Sequence, residues 1–538
     1  MAELTFYGGV NEIGGTKILL EDGEKRLLLD FGFPFKGNKQ FYEEYLRPRG
    51  GAGLLDPLEM GLLPPLEGLY RDDLETPELW QRFRNHPLYR KIYKADALLL
   101  SHAHADHTGY ISFLKDDIPI YSTAVTAFIT KANQDSGKAG FDQQVCYYSP
   151  VSYDCPKGLQ QKACLSNSRQ KIQRRFCIEE SQQQNLSPEA TRFWQEGFWE
   201  RTPRQPELIS SLPGSHNDCC LNIKCFPVDH SIPGACAWGI ETSAGWVVYS
   251  GDLRLHGKRP DLTQQFIEQA AALKPVALIL EGTNLHGEDS FSHNNVSEKT
   301  VYENALKAVS SSDKLVIADF SPRDVDRLLT FLQIARDTNR KLAILPKDVY
   351  LLKTVGLLDE RIPDIAAEGS IVIYQKTAAR ADNWQQRIYD DYSDKVVLAA
   401  DINAAQDEYI LCFSFFDINE LPSLRPSPDS LYVFSSSEPH DEEQEIDFRR
   451  LHQWLKHFGF KGYGLPLEKD GKWQTTEAEK GLHASGHACG KDLLEIARNI
   501  KPQLLIPVHS ERPDLYQNAI KNNGMDIILP VIGNTVHI

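Results

Sequence analysis

The largely apolar run Ala95-Asp96-Ala97-Leu98-Leu99-Leu100 stops abruptly in Ser101-His102-Ala103-His104-Ala105-Asp106-His107-Thr108-Gly109. Three imidazoles and one carboxylate therefore fall within six residues. A buried strand that ends this way delivers its polar side chains to the edge of a sheet. Alternate residues of an extended segment share a face, so His102 and His104 can converge on one ion. The turn that follows carries Asp106 and His107 toward a second. Imidazole nitrogen with carboxylate oxygen and no thiolate suits zinc, with manganese or iron as the other candidates. A polar loop with a chance histidine cluster is the bland alternative, but so dense a ligand set has little structural use at a strand end. The stretch reads as a dinuclear metal site.

The same grammar recurs. Leu221-Asn222-Ile223-Lys224-Cys225-Phe226-Pro227-Val228 runs into Asp229-His230, Trp246-Val247-Val248-Tyr249 into Ser250-Gly251-Asp252, and Val276-Ala277-Leu278-Ile279-Leu280 into Glu281. Near the end, Leu504-Leu505-Ile506-Pro507-Val508 stops on His509, after the Gly-turn motif His483-Ala484-Ser485-Gly486-His487. Seven of the 16 histidines occupy such strand-end or turn positions, which scattered core histidines would not do. Asp30 closes the hairpin strand Lys25-Arg26-Leu27-Leu28-Leu29, either as a turn former or as a hydrogen-bonding partner of the metal loop.

Between 296 and about 475 the pattern changes to helices alternating with short apolar strands, as in an α/β domain with a parallel sheet. One of these strands ends in Ser435-Ser436-Ser437, a turn that can cradle an anion or simply reverse the chain. The expected organisation is a first part over 1–283, with insertions at about 36–94 and 131–215, a second domain over 284–475, and a closing part over 476–538. A helix is expected from about Tyr110 and a strand over Ile118–Tyr121.

Lys and Arg number 58 against 74 Asp and Glu, a formal charge of −16, so the average field does not draw in a polyanion. Against that background, Pro156 to Cys177 holds Lys157, Lys162, Arg169, Lys171, Arg174 and Arg175 with no acid. It is either a solvated loop or a flap that contacts phosphate. Ten cysteines form no CxxC pair, and the four between 146 and 177 are spaced too irregularly to favour a zinc knot over incidental thiols. The start lacks the basic and apolar regions of a signal peptide, and no run reaches transmembrane length. A cytoplasmic protein with reduced thiols and no membrane partner is expected.

In motif order, His102-Ala103-His104-Ala105-Asp106-His107, then His230, then Asp252 resemble the metallo-β-lactamase superfamily. Glu281, His487 and His509 look like the further motifs of its β-CASP branch, whose members are nucleases. The turns GGVNEIGG, DHSIPGA, SGDLRLHG, EGTN, SSSEP and HASGHA are similar to those of the ribonuclease J family. The resemblance spans almost the whole chain. It implies an α/β (α+β) four-layer αββα sandwich carrying an inserted α/β β-CASP domain.

It also implies two zinc ions per chain, with manganese as a substitute. His102, His104 and His230 would hold one ion, Asp106, His107 and His509 the other, and Asp252 would bridge them. The implied activity is hydrolysis of phosphodiester bonds in single-stranded RNA, from the 5′ end or internally, by a hydroxide that bridges the two metals. Asp30, Asp106, Glu281 and His487 would form the catalytic group, with His487 as general acid. His483, Ser485, Ser435, Ser436 and Ser437 would contact substrate phosphate. Three departures stand out: Glu281 occupies a position where the family usually has Asp, only 29 residues follow His509, and the insertions at about 36–94 and 131–215 are unusually long. The second departure bears on the homodimer and the exonucleolytic mode that the resemblance would otherwise carry. DNA cleavage by the same branch, or hydrolysis of a small molecule on the metallo-β-lactamase fold, are the alternatives.

Overall fold

The computed structural model describes the chain except at 44, 138–142, 155–161, 166–169, 179–185, 200–206, 210–219, 378–380, 438–441, 470–471, 477–478 and 521–523. Two compact units divide it. Met1–Leu255, Asp261–His293 and His487–Ile538 make the first, and His256–Pro260 with Asn294–Gly486 make the second.

In the first unit, one sheet is ordered Phe176–Ile178, Ile120–Ser122, Ala97–Leu99, Lys25–Phe31, Lys17–Asp22, Ala2–Gly8 and Thr535–His537. A two-residue turn with Gly23 at φ 64° joins Lys17–Asp22 to Lys25–Phe31, the positive φ that such hairpins demand. The other sheet is ordered Ile223–Pro227, Cys236–Thr242, Gly245–Tyr249, Ala277–Glu281, Leu504–Val508 and Asp526–Ile527. Apolar faces of both sheets share one core: Ile18, Leu20, Leu27, Leu29 and Leu99 pack with Trp238, Ile240, Val247, Ile279 and Ile506. Helices Pro260–Leu273 and Gly490–Ile500 cover the far face of the second sheet through Phe266, Ile267, Leu493, Ile496 and Ala497.

Strand direction decides where the polar ends go. Lys25–Phe31, Ala97–Leu99 and Ile120–Ser122 run parallel, as do Gly245–Tyr249, Ala277–Glu281 and Leu504–Val508. Ile223–Pro227 is two antiparallel steps from Gly245–Tyr249 and so points the same way. Parallel neighbours finish on one edge, and each sheet gathers its ligand-bearing ends there.

Two expectations are corrected. The chain turns helical at Ala105, not Tyr110, and continues as a 3-10 segment over Gly109–Phe113, because His104 is still extended and its carbonyl accepts the N–H groups of His107 and Thr108. The Ile120–Ser122 strand begins two residues later than expected. Part of the 131–215 stretch is also integral to the first sheet: Phe176–Ile178 is its edge strand, with Phe176 and Cys177 fully buried.

The second unit is built on a seven-stranded parallel sheet, ordered Val396–Val397, Ile371–Tyr374, Lys341–Ile344, Tyr409–Cys412, Val316–Asp319, Leu431–Phe434 and Lys461–Tyr463. Its core joins Leu315, Ile317, Ala343, Leu411 and Tyr432 to Leu421, Leu424, Leu451 and Leu455. Ser297 and Asp324 cap the helices Glu298–Ser310 and Val325–Asp337 by accepting backbone N–H groups.

Candidate metal centre

Three groups of donors assemble at the shared strand edge of the first unit: His102, His104 and His230; Asp106, His107, Asp252 and His509; and Asp252, Glu281, His487 and His509. In the first group, Nδ1 of His104 lies 3.1 Å from Nε2 of His102 and 3.1 Å from Nε2 of His230. In the second, Oδ2 of Asp252 is 3.1 Å from Nε2 of His107, and Oδ2 of Asp106 is 3.1 Å from Nε2 of His509. Asp252 Oδ2 also approaches Nε2 of His102 at 3.6 Å, so one carboxylate touches both groups. Donors around a tetrahedral zinc with bonds of about 2.0–2.1 Å sit about 3.4 Å apart, so this spacing fits the ion. The Oδ1 atom of Asp252 is buried without a hydrogen-bond partner, as a metal-binding atom would be.

Behind these donors lies a layer of holders. Buried Asp30 accepts hydrogen bonds from the Ser101 N–H and Oγ–H (2.7 Å each), the Tyr249 hydroxyl (2.6 Å) and His107 Nδ1–H (2.6 Å). Holding Nδ1–H in this way turns the His107 Nε2 lone pair outward. Glu281 does the same for His487, at 3.0 and 3.2 Å from its Nδ1, while accepting the Leu253 and Thr283 N–H groups. The Thr283 hydroxyl stands 2.8 Å from Nδ1 of His509. Asp30 and His509 both adopt left-handed backbone, φ 53° and φ 52°. Such strain costs ~1–3 kcal/mol each, and each fully buried Leu-sized chain below contributes about as much. Two glycines let the chain close on Asp106: a Cβ on Gly32 would run into the Asp106 carbonyl, and one on Gly14 would come 2.9 Å from its Cβ.

The electrostatics follow from burial and neighbours. Burial alone would lower His107, but Asp252, Asp106 and Asp30 outweigh it and hold the imidazole well above its usual range. His102, buried among imidazoles, is pushed well below. Burial would raise Asp252 and Asp106, yet the facing histidines hold both below the usual carboxylate range. His487 is raised to about 9, because Glu281 and Asp252 overcome the cost of burying its charge.

All seven expected metal donors therefore come together, and Asp30, Glu281 and His487 stand beside them. The expected phosphate contacts fall in the second unit. There Ser435 is buried: its hydroxyl donates to the Leu482 carbonyl at 2.5 Å and accepts from Arg327 at 2.6 Å. This corrects the expectation for Ser435, whose hydroxyl is spent on holding its own loop. Ser436, Ser437, His483 and Ser485 are half-buried. In the basic run, Arg174 is buried and donates to the Ser112 and Lys115 carbonyls, while Arg175 is exposed. Lys157, Arg169 and the side chain of Lys162 lie outside the described residues. Sequence reasoning missed Ser101, Tyr249, Thr283, Gly14 and Gly32. The available signal was their position, since each sits inside or beside a ligand-bearing turn.

The family model for a Zn-dependent metallo-hydrolase RNA specificity domain matches residues 476–530, a stretch that includes His483, His487 and His509. Ribonuclease J of Mycolicibacterium smegmatis is 22% identical over 535 residues, covering 96% of this chain and 70% of that protein. The Helicobacter pylori B128 ribonuclease J is 20% identical over 518 residues, and the chain spans 56% of its length. A solved structure, a protein of unknown function from Enterococcus faecalis V583, superposes with a TM-score of 0.63 at 19% identity over 99% of both chains. The fold is of the metallo-β-lactamase α/β type, and its donor groups could hold a metal ion, zinc being the one that the matched family model names. Within that class the chain is similar to the ribonuclease J proteins, at 20–22% identity.

Proposed function

We propose that this protein is a ribonuclease that hydrolyses phosphodiester bonds of single-stranded RNA with two zinc ions, manganese serving as a substitute. The observation that carries the reading is the two donor groups with Asp252 in one and 3.6 Å from His102 of the other, in a chain matched to an RNA-specificity domain. His102, His104 and His230 would hold one ion and Asp106, His107 and His509 the other, with Asp252 between. When bound, such a pair lowers the pKa of water toward neutrality and offsets charge on the phosphodiester oxygens.

The remaining work falls to the protein. Glu281 keeps the proton of His487 on Nδ1, and protonated His487 can donate from Nε2 to the departing 3′ oxygen. Asp30 fixes His107, and Thr283 orients His509, so the donors need no rearrangement before the reaction. In this reading the second unit is the β-CASP domain, and Ser436, Ser437, His483 and Ser485 contact substrate phosphate. Cleavage runs from the 5′ end, internally, or both, and a homodimer is one assembly open to the chain. A cytoplasmic location is the expected one, and no described helix is long and apolar enough to cross a membrane.

End-labelled, 5′-phosphorylated RNA incubated with the purified protein, with and without chelator, tests the proposal. Mononucleotide release marks the exonucleolytic mode and internal fragments the endonucleolytic one. Asp252→Ala and His104→Ala proteins should retain their circular dichroism and lose cleavage; undiminished cleavage by either would sink the mechanism. A matched DNA strand should be cut more slowly.

A further inference from the structure

The second unit carries a cavity of about 800 Å³ among residues that follow the strands Lys341–Ile344, Ile371–Tyr374 and Tyr409–Cys412. All three strands are parallel, so the cavity lies at the carboxyl edge of the sheet. From Val316–Asp319 the chain passes over one position to Lys341–Ile344, and later returns to fill the gap with Tyr409–Cys412. Crevices beside such changes of strand order are where open α/β sheets take ligands, and the volume lies in the range of small-molecule sites.

The lining is selective in its chemistry. Helices Pro346–Gly356 and Asn383–Asp391 both begin at the cavity, and their amide ends carry partial positive charge. The two carboxylates present are turned into the protein. Asp348 accepts the Leu345 N–H at 2.8 Å. Asp417 accepts the Ser414 N–H at 2.8 Å and its hydroxyl at 2.7 Å, and also pairs with Lys376. Lys347, exposed at the first turn of its helix, adds a cation to the wall. Phe416 lines the same cavity and leaves 79% of its surface exposed, an apolar face with no core to cover it. Gln375, Asn383 and Gln386 complete the wall with amides that both donate and accept.

An aromatic plane, amides of mixed hydrogen-bonding sense and a cation beside helix starts suit a base joined to a phosphate. We propose that this cavity binds a 5′-phosphorylated nucleotide, with the base stacked on Phe416 and the phosphate held by Lys347 and the helix starts. The nucleotide is either free or one unit of an RNA strand. The proposal does not rest on the hydrolytic reading, because none of these residues belongs to the metal centre.

Equilibrium binding to the full zinc-loaded chain tests it, with AMP, adenosine and a nuclease-resistant phosphorothioate oligoribonucleotide as probes. Phe416→Ala and Lys347→Glu alter exposed side chains, so both proteins should keep the parent melting temperature. Each substitution should weaken AMP binding about tenfold. Adenosine, lacking the phosphate, should respond to Phe416→Ala alone. If AMP does not bind but both substitutions weaken the oligonucleotide, the nucleotide is a unit of an RNA strand. If neither probe is weakened by both substitutions, the proposal is overturned, whether or not the protein cleaves RNA.

Discussion

Asp30 receives the Nδ1 proton of His107 at 2.6 Å, a buried contact between residues 77 positions apart. The same carboxylate ties down Ser101 and Tyr249, and so binds the strand end, the metal loop and the opposite sheet together. In Asp30→Asn an amide must face either the His107 N–H or the Tyr249 hydroxyl, and the imidazole loses its fixed tautomer. Zinc affinity should fall about 10–100-fold in competition with a chromophoric chelator, with the fold retained.

Gly32→Ala should separate the two donor groups. The added methyl runs into the Asp106 carbonyl, so the short helix bearing Asp106 and His107 must move, while His104 and His230 need not. Metal analysis should give close to one ion per chain in place of two, and RNA cleavage should be lost with it.

His487→Ala removes the proposed proton donor but none of the seven proposed ligands. Metal content should be unchanged while kcat falls about 10²–10⁴-fold, the usual range for losing a general acid. Glu281→Gln leaves the ring in place with a weaker partner and should lie between this variant and the parent. A fall in metal content matching the loss of rate would make His487 a ligand.

Buried Asp319, hydrogen-bonded by the Tyr432 hydroxyl, is raised to about 7 by burial, with Asp417 adding to the shift. Its folded pKa lies above the unfolded one, so its contribution to stability is full below about pH 4 and is lost as pH rises toward 7. The loss amounts to at most ~4 kcal/mol by linkage. Asp319→Asn should flatten the fall in melting temperature between pH 5 and pH 8 and leave metal content untouched. Identical pH profiles for the two proteins would exclude a buried proton at this site.

Much of the centre was legible in sequence because metal donors are rare residue types and strand ends are conspicuous. His102, His104, Asp106 and His107 lie within six residues, and His230, Asp252, Glu281 and His509 each end an apolar run. The holders were not legible. Tyr249 reads as one more aromatic in a strand and Thr283 as a turn residue; only folding puts the first 2.6 Å from Asp30 and the second 2.8 Å from His509. Ser435 was misread for the same reason. A hydroxyl after a parallel strand looks free to meet an anion until Arg327 is seen to occupy it.

The sequence by itself determined the donor types, their attachment to strand ends and the α/β alternation, since these depend on side-chain chemistry and local periodicity. Tertiary structure decided which donors share an ion. Parallel pairing brings the ends of Gly245–Tyr249, Ala277–Glu281 and Leu504–Val508 to one edge, although the last two are separated by more than two hundred residues. It also decided the electrostatics of the site, because burial and facing charges, rather than residue identity, act on His102 and His107 in opposite directions.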